Sequence, residues 1–310
     1  MTQISNIAIL GAGLMGHGIA QVFLTRPGYE VAIFDPVVSM LDTVRERINS
    51  NLRFLGEPAC DLSRLRLTTS MHEAVRNAHI IFEAAPEKIE LKHQIFCYLE
   101  SIATATCILR INKKVIPIST IGEKLASRGQ LVGTHWWNPP YLIPLVEVIA
   151  TRETRPEVVS LCMKLLDAVG KVPVRVKKDV PGFVGNRLQH ALWREAIALV
   201  EAGVCDAETV DLVVKNSFGL RLPVLGPLEN ADLVGLDLTQ DIHRVLLPHL
   251  SRSSDPSPLL SELMADGKLG MKSGKGFYDW SPASSAELRK QLLEHLVKLL
   301  STKGKVPPVM

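Results

Sequence analysis

The sequence predicts an α/β fold, with an N-terminal doubly wound, mostly parallel sheet followed by an all-helical C-terminal domain. Three observations predict it: short apolar runs alternate with helical stretches through the first half, a glycine turn joins the first run to the first helix, and strand signals fade beyond residue 182.

The first run, Ile4 to Leu10, suits a strand buried on both faces, and the stretch from Met15 to Leu24 reads as the helix after it. A second run, Glu30 to Phe34, closes on Asp35, completing a strand–helix–strand unit. Helical spacing with charged faces covers Ser39 to Leu55, and Leu67 to Thr69 reads as a short strand. Ala78 to Ala84 is another apolar run, followed by a helix over Lys88 to Ile102. Cys107 to Ile111, Gln130 to His135 and Leu145 to Ile149 read as further strands. Residues Lys177 to Gly182 read as a linker, which sets domain limits of 1–182 and 183–310. Beyond it, helices are expected over Asn186 to Ala202, Ala207 to Ser217 and Asp232 to Leu247, with a Ser/Pro-rich loop at Ser251 to Pro258. The apolar stripe of Leu188, Ala191, Leu192 and Leu199 reads as core or dimer packing, and Trp193 and Trp280 as packing residues.

Composition narrows the function classes. With 46% apolar and 22% charged residues the chain reads as globular, and a net charge of +3 without a dense basic patch gives no case for nucleic acid. No apolar run reaches membrane-span length, and residues 1–6 lack a signal-peptide shape, so a cytoplasmic protein is expected. Five widely spaced cysteines without Cys-x-x-Cys read as buried free thiols in a reducing compartment. The histidines at 190, 243 and 249 lack metal spacing, and no metal site is expected.

The run from Gly11 to Gly16 matches G-x-G-x-x-G between a predicted strand and a predicted helix, with an acidic residue at the end of the next strand. That context is the Rossmann-like dinucleotide site. Gly11 permits the tight turn, Gly13 lets the pyrophosphate approach the backbone, and Gly16 lets the helix pack on the strand. Leu14 and Met15 contribute first-turn N–H groups at the positive end of the helix. The Asp35 carboxylate can accept from ribose hydroxyls and would repel a 2′-phosphate, and no arginine follows it directly, so NAD is expected over NADP.

A second constellation follows. His135 closes an apolar strand before Asn138-Pro139-Pro140, and twelve positions on Glu147 interrupts an apolar run. A carboxylate within a buried strand needs a partner. A neutral imidazole steadied by a carboxylate on its second nitrogen suits removal of a hydroxyl proton as hydride leaves the carbon. Spacing alone leaves open a structural histidine, or a lysine as the partner of Glu147.

Several segments together resemble the 3-hydroxyacyl-CoA dehydrogenase family. They are residues 11–21, Glu83-Ala84-Ala85-Pro86-Glu87 with Lys92, His135 to Asn138, Leu145 to Val148, Pro181 to Arg187, and Gly270 to Tyr278. The resemblance implies His135 as the base, Glu147 as its orienting partner and Asn186 as a substrate ligand across a cleft between the domains. It also implies Glu87, Lys92, Asn112, Asn138 and Lys272 near the cofactor, and a homodimer through the helical domain. The expected substrate is a 3-hydroxyacyl group.

Two departures qualify the substrate. Where the family has Ser-Asn-Thr-Ser, this chain has Ile111-Asn112-Lys113-Lys114. Lys114 is cationic and has no acceptor, so it would bind a substrate carboxylate or oppose charge on His135. The stretch from Asp35 to Thr68 is also shorter than in members that hold the CoA tail on a helical excursion there. Other features, Asn138 to Tyr141 and Gly182 to Gln189, resemble the lambda-crystallin and L-gulonate dehydrogenase branch. Three readings stand: an NAD-dependent 3-hydroxyacyl-CoA dehydrogenase, a dehydrogenase of a free short 3-hydroxy acid, and a catalytically weakened NADH-binding homologue.

Overall fold

The computed structural model describes residues 4–102, 108–112 and 117–302, the side chains of 108–112 and 301–302 excepted. The chain divides into two compact units, residues 1–187 and 188–310.

The first unit alternates strands and helices in the order β1 (Asn6–Leu10), α1 (Leu14–Leu24), β2 (Glu30–Phe34), α2 (Val38–Asp42), α3 (Val44–Leu55), β3 (Leu65–Thr68), α4 (Met71–Val75) and β4 (Ile80–Glu83). It continues with α5 (Ile89–Ile102), β5 (Ile108–Asn112), α6 (Ile118–Gly122), β6 (Leu131–Trp136), β7 (Leu145–Ile149), α7 (Pro156–Ala168) and β8 (Val172–Val176). The eight strands form one sheet in the order β3-β2-β1-β4-β5-β6-β7-β8. The strand order reverses between β1 and β4, which places the carboxyl ends of those strands at the topological switch point. All neighbouring strands are parallel except β6 and β7. Apolar residues fill both faces of the central strands: Ile7, Ile9 and Phe82 pack in one core with Phe23 and Trp136, and Ala8, Leu10 and Ile81 in another with Phe96 and Ile118. That two-sided burial is why these strands read as continuous apolar runs.

Several expectations change. Ser39 to Leu55 is two helices, broken at Thr43. Two further elements, α7 and β8, lie beyond the expected ones. β8 is an edge strand, Val172-Pro173-Val174-Arg175-Val176, in which only Val176 is buried, so it lacks an apolar-run signal, and proline is tolerated at the edge. Of the four described cysteines only Cys162 is buried, whereas Cys97 is exposed, and Cys107 lies outside the described residues. The thiols are therefore free but mostly not core residues.

In the second unit, α8 (Gly185–Glu201), which begins in the first, leads to α9 (Ala207–Lys215), α10 (Pro227–Val234), α11 (Leu236–Leu246), α12 (Pro258–Ala265) and α13 (Pro282–Thr302). The expected helix over Asp232 to Leu247 is two, separated at Gly235, whose φ of +104° breaks the helical run. The stripe on α8 is not core: Leu188 is 58% and Leu192 41% exposed. Among the described residues of this unit only Ser285 is buried. A cavity of about 980 Å³ lies within it, lined among others by Trp193, Arg194, Asp211, Tyr278 and Trp280. No described helix is long and apolar enough to cross a membrane.

Candidate active site

The glycine turn is built at the carboxyl end of β1. Gly11 donates its N–H to the Phe34 carbonyl at 2.7 Å and has φ of +110°. A Cβ there would lie 2.7 Å from the Ala84 carbonyl oxygen, so the turn from β1 and the end of β4 meet too closely for a side chain. A Cβ on Gly16 would overlap the carbonyl oxygen of Gly11. Gly13 differs, because a Cβ there would meet no protein atom within 4 Å. The fold demands the first and third glycines, and the middle one faces open space beside the amino terminus of α1. Leu14 is largely exposed there and Met15 half-buried. Unpaired first-turn N–H groups and the helix dipole give this cradle a positive character.

Asp35, just after β2, is held from both sides: one carboxylate oxygen accepts from the Ala12 N–H at 2.8 Å, the other from the Val37 N–H at 2.9 Å. The open cradle at Gly13 with a fixed carboxylate beside it fits a dinucleotide, pyrophosphate on the helix end and ribose on Asp35.

Sequence reasoning missed Arg47. That residue lies twelve positions beyond Asp35, and α3 carries it back within electrostatic range of that carboxylate. Burial pushes the Arg47 guanidinium below its ordinary value, and the Asp35 charge works against that push. Arg47 also donates to the Met40 carbonyl at 2.8 Å and lies 3.1 Å from Nδ1 of His17. That nitrogen lies 2.8 Å from the Gly13 carbonyl, and it cannot donate there while accepting from Arg47. Burial, with help from Arg47, lowers the His17 pKa against the opposing Gly13 hydrogen bond.

Lys92 is wholly buried. Its Nζ lies 2.6 Å from the Glu83 carboxylate and 3.3 Å from that of Glu87, and Glu83 also accepts from the Ala85 N–H at 2.6 Å. Burial raises the Glu83 pKa, opposed by Lys92 and the Ala85 amide. The lysine expected beside the cofactor thus organises the Glu83–Ala85 turn against which Gly11 packs.

The antiparallel register of β6 and β7 sets His135 directly opposite Glu147. Both are buried, and Nδ1 of His135 lies 2.6 Å from the Glu147 carboxylate. The other carboxylate oxygen accepts from the N–H groups of Val184 at 2.9 Å and Gly185 at 3.2 Å, at the start of α8. Burial is the largest influence on Glu147 and pushes its pKa up. The His135 bond and the two amides outweigh it, and the carboxyl lies below its ordinary range. The rings of Trp137 and Phe183 flank the imidazole at 5.2 and 5.7 Å. With Nδ1 committed to Glu147, Nε2 is the ring atom left for a substrate. A buried, oriented imidazole of this kind can exchange a proton with a hydroxyl group. Sequence spacing had left a lysine open as the partner of Glu147, and the structure gives His135.

Of the other predicted residues, Asn138 is exposed on the loop after β6, Asn186 is half-buried in the first turn of α8, and Lys272 is exposed in the second unit. Asn112 ends β5 opposite Thr134. Lys113 and Lys114 lie outside the described residues.

Comparison with known proteins agrees with this architecture. Residues 6–180 match the 3-hydroxyacyl-CoA dehydrogenase NAD-binding domain, and residues 182–280 match the C-terminal domain of the same family. The chain is 35% identical over 300 residues to 5-formyl-3-hydroxy-2-methylpyridine 4-carboxylate 5-dehydrogenase of Mesorhizobium japonicum, covering 95% of this chain and 97% of the relative. It is 35% identical over 282 residues to a probable 3-hydroxybutyryl-CoA dehydrogenase of Deinococcus radiodurans, covering 88% and 99% of the two chains. A crystal structure of the pyridine carboxylic acid 5-dehydrogenase, an NAD+-dependent dismutase, superposes with a TM-score of 0.90 at 34% identity, over 97% of this chain and all of that one. The chain belongs to the 3-hydroxyacyl-CoA dehydrogenase family, with NAD as the cofactor of its N-terminal unit.

Proposed function

We propose that this chain is an NAD-dependent dehydrogenase in which His135 is the general base, and that its substrate is a small hydroxy acid free of a carrier. The observation that carries the reading is the buried His135–Glu147 pair, with one imidazole nitrogen fixed and the other available. Nε2 of His135 takes the hydroxyl proton of the substrate, and Glu147 stabilises the resulting imidazolium through Nδ1. In reduction the same nitrogen returns the proton. NAD, when bound, supplies the hydride acceptor. Gly11, Gly13, Leu14, Met15, Gly16 and Asp35 hold it, and Glu87, Asn112 and Asn138 serve its nicotinamide end. Lys92 acts there through the turn it supports, and Asn186 orients the substrate.

Two observations support a free acid. The stretch between β2 and β3, where CoA-binding members carry a helical excursion, holds only α2, α3 and one 3-10 turn. The full-length likeness to a pyridine carboxylate dehydrogenase, with a TM-score of 0.90, points the same way. Lys114 is the candidate partner for the substrate carboxylate. The second reading, a 3-hydroxyacyl-CoA substrate, draws on the family and on the Deinococcus relative.

The helical domain, taken from Phe183 onward, is the substrate-binding and dimerising part in this reading. The exposed apolar stripe on α8 and the near absence of buried residues in the second unit support a homodimer. The free thiols fit a reducing, cytoplasmic setting.

The test is NADH formation with a panel of 3-hydroxybutyryl-CoA, free hydroxy acids and a formyl pyridine carboxylate. Turnover of free acids above the thioester, lost in Lys114→Ser, is expected. Preference for the thioester selects the second reading. Tight NADH binding with no turnover would make the chain a binding protein. His135→Gln should lower kcat by about 10²–10⁴-fold with NADH affinity kept. Full turnover in that variant excludes the base assignment.

A further inference from the structure

We propose that Lys171 is a positioning residue for the reaction at His135, holding the loop between β6 and β7 against the dinucleotide-binding helix. The inference rests on the reading of His135 given above.

Lys171 stands just before β8 and is only 6% exposed. Its ammonium donates to the carbonyl of Pro140 at 2.5 Å and to that of Ile143 at 3.0 Å. It also lies 5.7 Å from the centre of the Trp136 ring. Among the described residues no carboxylate is within ion-pair distance, and the charged group that faces it is Arg26, beyond the end of α1. Burial, reinforced by Arg26, lowers the Lys171 pKa to about 8. A cation buried without a counter-ion is costly, and an apolar side chain would fill the same space more cheaply. What the lysine adds is two hydrogen bonds to one loop.

That loop, residues 137–144, joins the strands of His135 and Glu147 and carries the exposed Asn138. Its Pro140 packs on α1: a Cβ on Gly18 would lie 2.5 Å from Cγ of Pro140 and 3.3 Å from the Tyr141 ring. Lys171 grips the Pro140 carbonyl from the β8 side while Gly18 receives the proline ring on the other. The loop is clamped between the helix that starts at the dinucleotide cradle and the strand pair that holds the base. Hydride transfer is sensitive to displacements of about 1 Å, so the clamp bears on kcat more than on binding.

The experiment compares wild type, Lys171→Met and Lys171→Arg by steady-state kinetics, NADH fluorescence titration and hydrogen exchange of the 137–145 amides. Expected for Lys171→Met are a kcat at least about tenfold lower at temperatures well below its Tm, an NADH Kd within about threefold of wild type, and faster exchange in the loop. Lys171→Arg, which keeps donors and charge, should restore part of both kcat and loop protection. Unchanged kcat with unchanged loop exchange in Lys171→Met overturns the proposal, as does a loss of Tm alone. Should Lys171→Met fail to fold, Lys171→Gln, which lacks the charge and the reach to both carbonyls, decides: wild-type kcat and wild-type loop exchange together overturn it. Absence of wild-type turnover on every substrate counts against the reading of His135 instead, and loop exchange then judges Lys171 alone.

Discussion

At His135 the chemistry depends on which ring nitrogen carries the proton, and Glu147 decides it by accepting from Nδ1. Glu147 is in turn held ionised by its bonds to His135 and to the amides of Val184 and Gly185, which together outweigh the opposing effect of burial. Its folded-state pKa is therefore below the unfolded one. The stabilisation is complete above the ordinary carboxylate range and is lost as pH falls through and below it. Glu147→Gln should consequently be less stable than wild type at pH 7, with the difference shrinking in acid, as thermal melts across pH 3 to 7 would record. A difference independent of pH would show that the carboxylate charge is not what stabilises the pair.

Among the elements, the turn from β1 into α1 separates two demands that a glycine motif fuses. Gly16 has the Gly11 carbonyl where a Cβ would stand, and Gly13 has open space. Gly16→Ala should therefore cost stability, by about 1–3 kcal/mol as overpacking does, measured by denaturant unfolding. Gly13→Ala should cost less, about 0.5–1 kcal/mol, since it is an N-cap exchange without a steric clash, yet weaken NADH binding at least about tenfold. Equal losses of stability in both variants would contradict this division.

For the whole molecule, the two units differ in how they bury apolar surface. The first has two dense layers on its sheet, while Leu212, Val213, Leu233, Leu238 and Val245 of the second stand exposed together with the α8 stripe. Exposed apolar surface on this scale is the ground for the homodimer proposed above. Sedimentation equilibrium at micromolar concentration should give twice the chain mass, and Leu188→Glu with Leu192→Glu should shift the population toward monomer. A wild-type monomer at that concentration would refute the dimer.

The glycine turn, the acidic end of β2, the central strands and the paired types at 135 and 147 were legible because each is a local pattern, or two residues whose chemistry implies one another. Leu145 to Ile149 was placed to the residue, since a strand buried on both faces leaves an apolar run in which Glu147 is the one polar residue. The edge strand β8 left no such run, and the helix break at Gly235 was hidden inside a continuous helical pattern. Tertiary structure set Glu147 on His135 through strand register, where spacing had left a lysine open, and it alone brought Arg47 toward Asp35, buried Lys92 against Glu83, and set Lys171 under the Pro140 loop. The physical reason is common to all four. A sequence records the need of a buried charge for a partner, but which partner satisfies it depends on crossings and registers between segments that are distant along the chain.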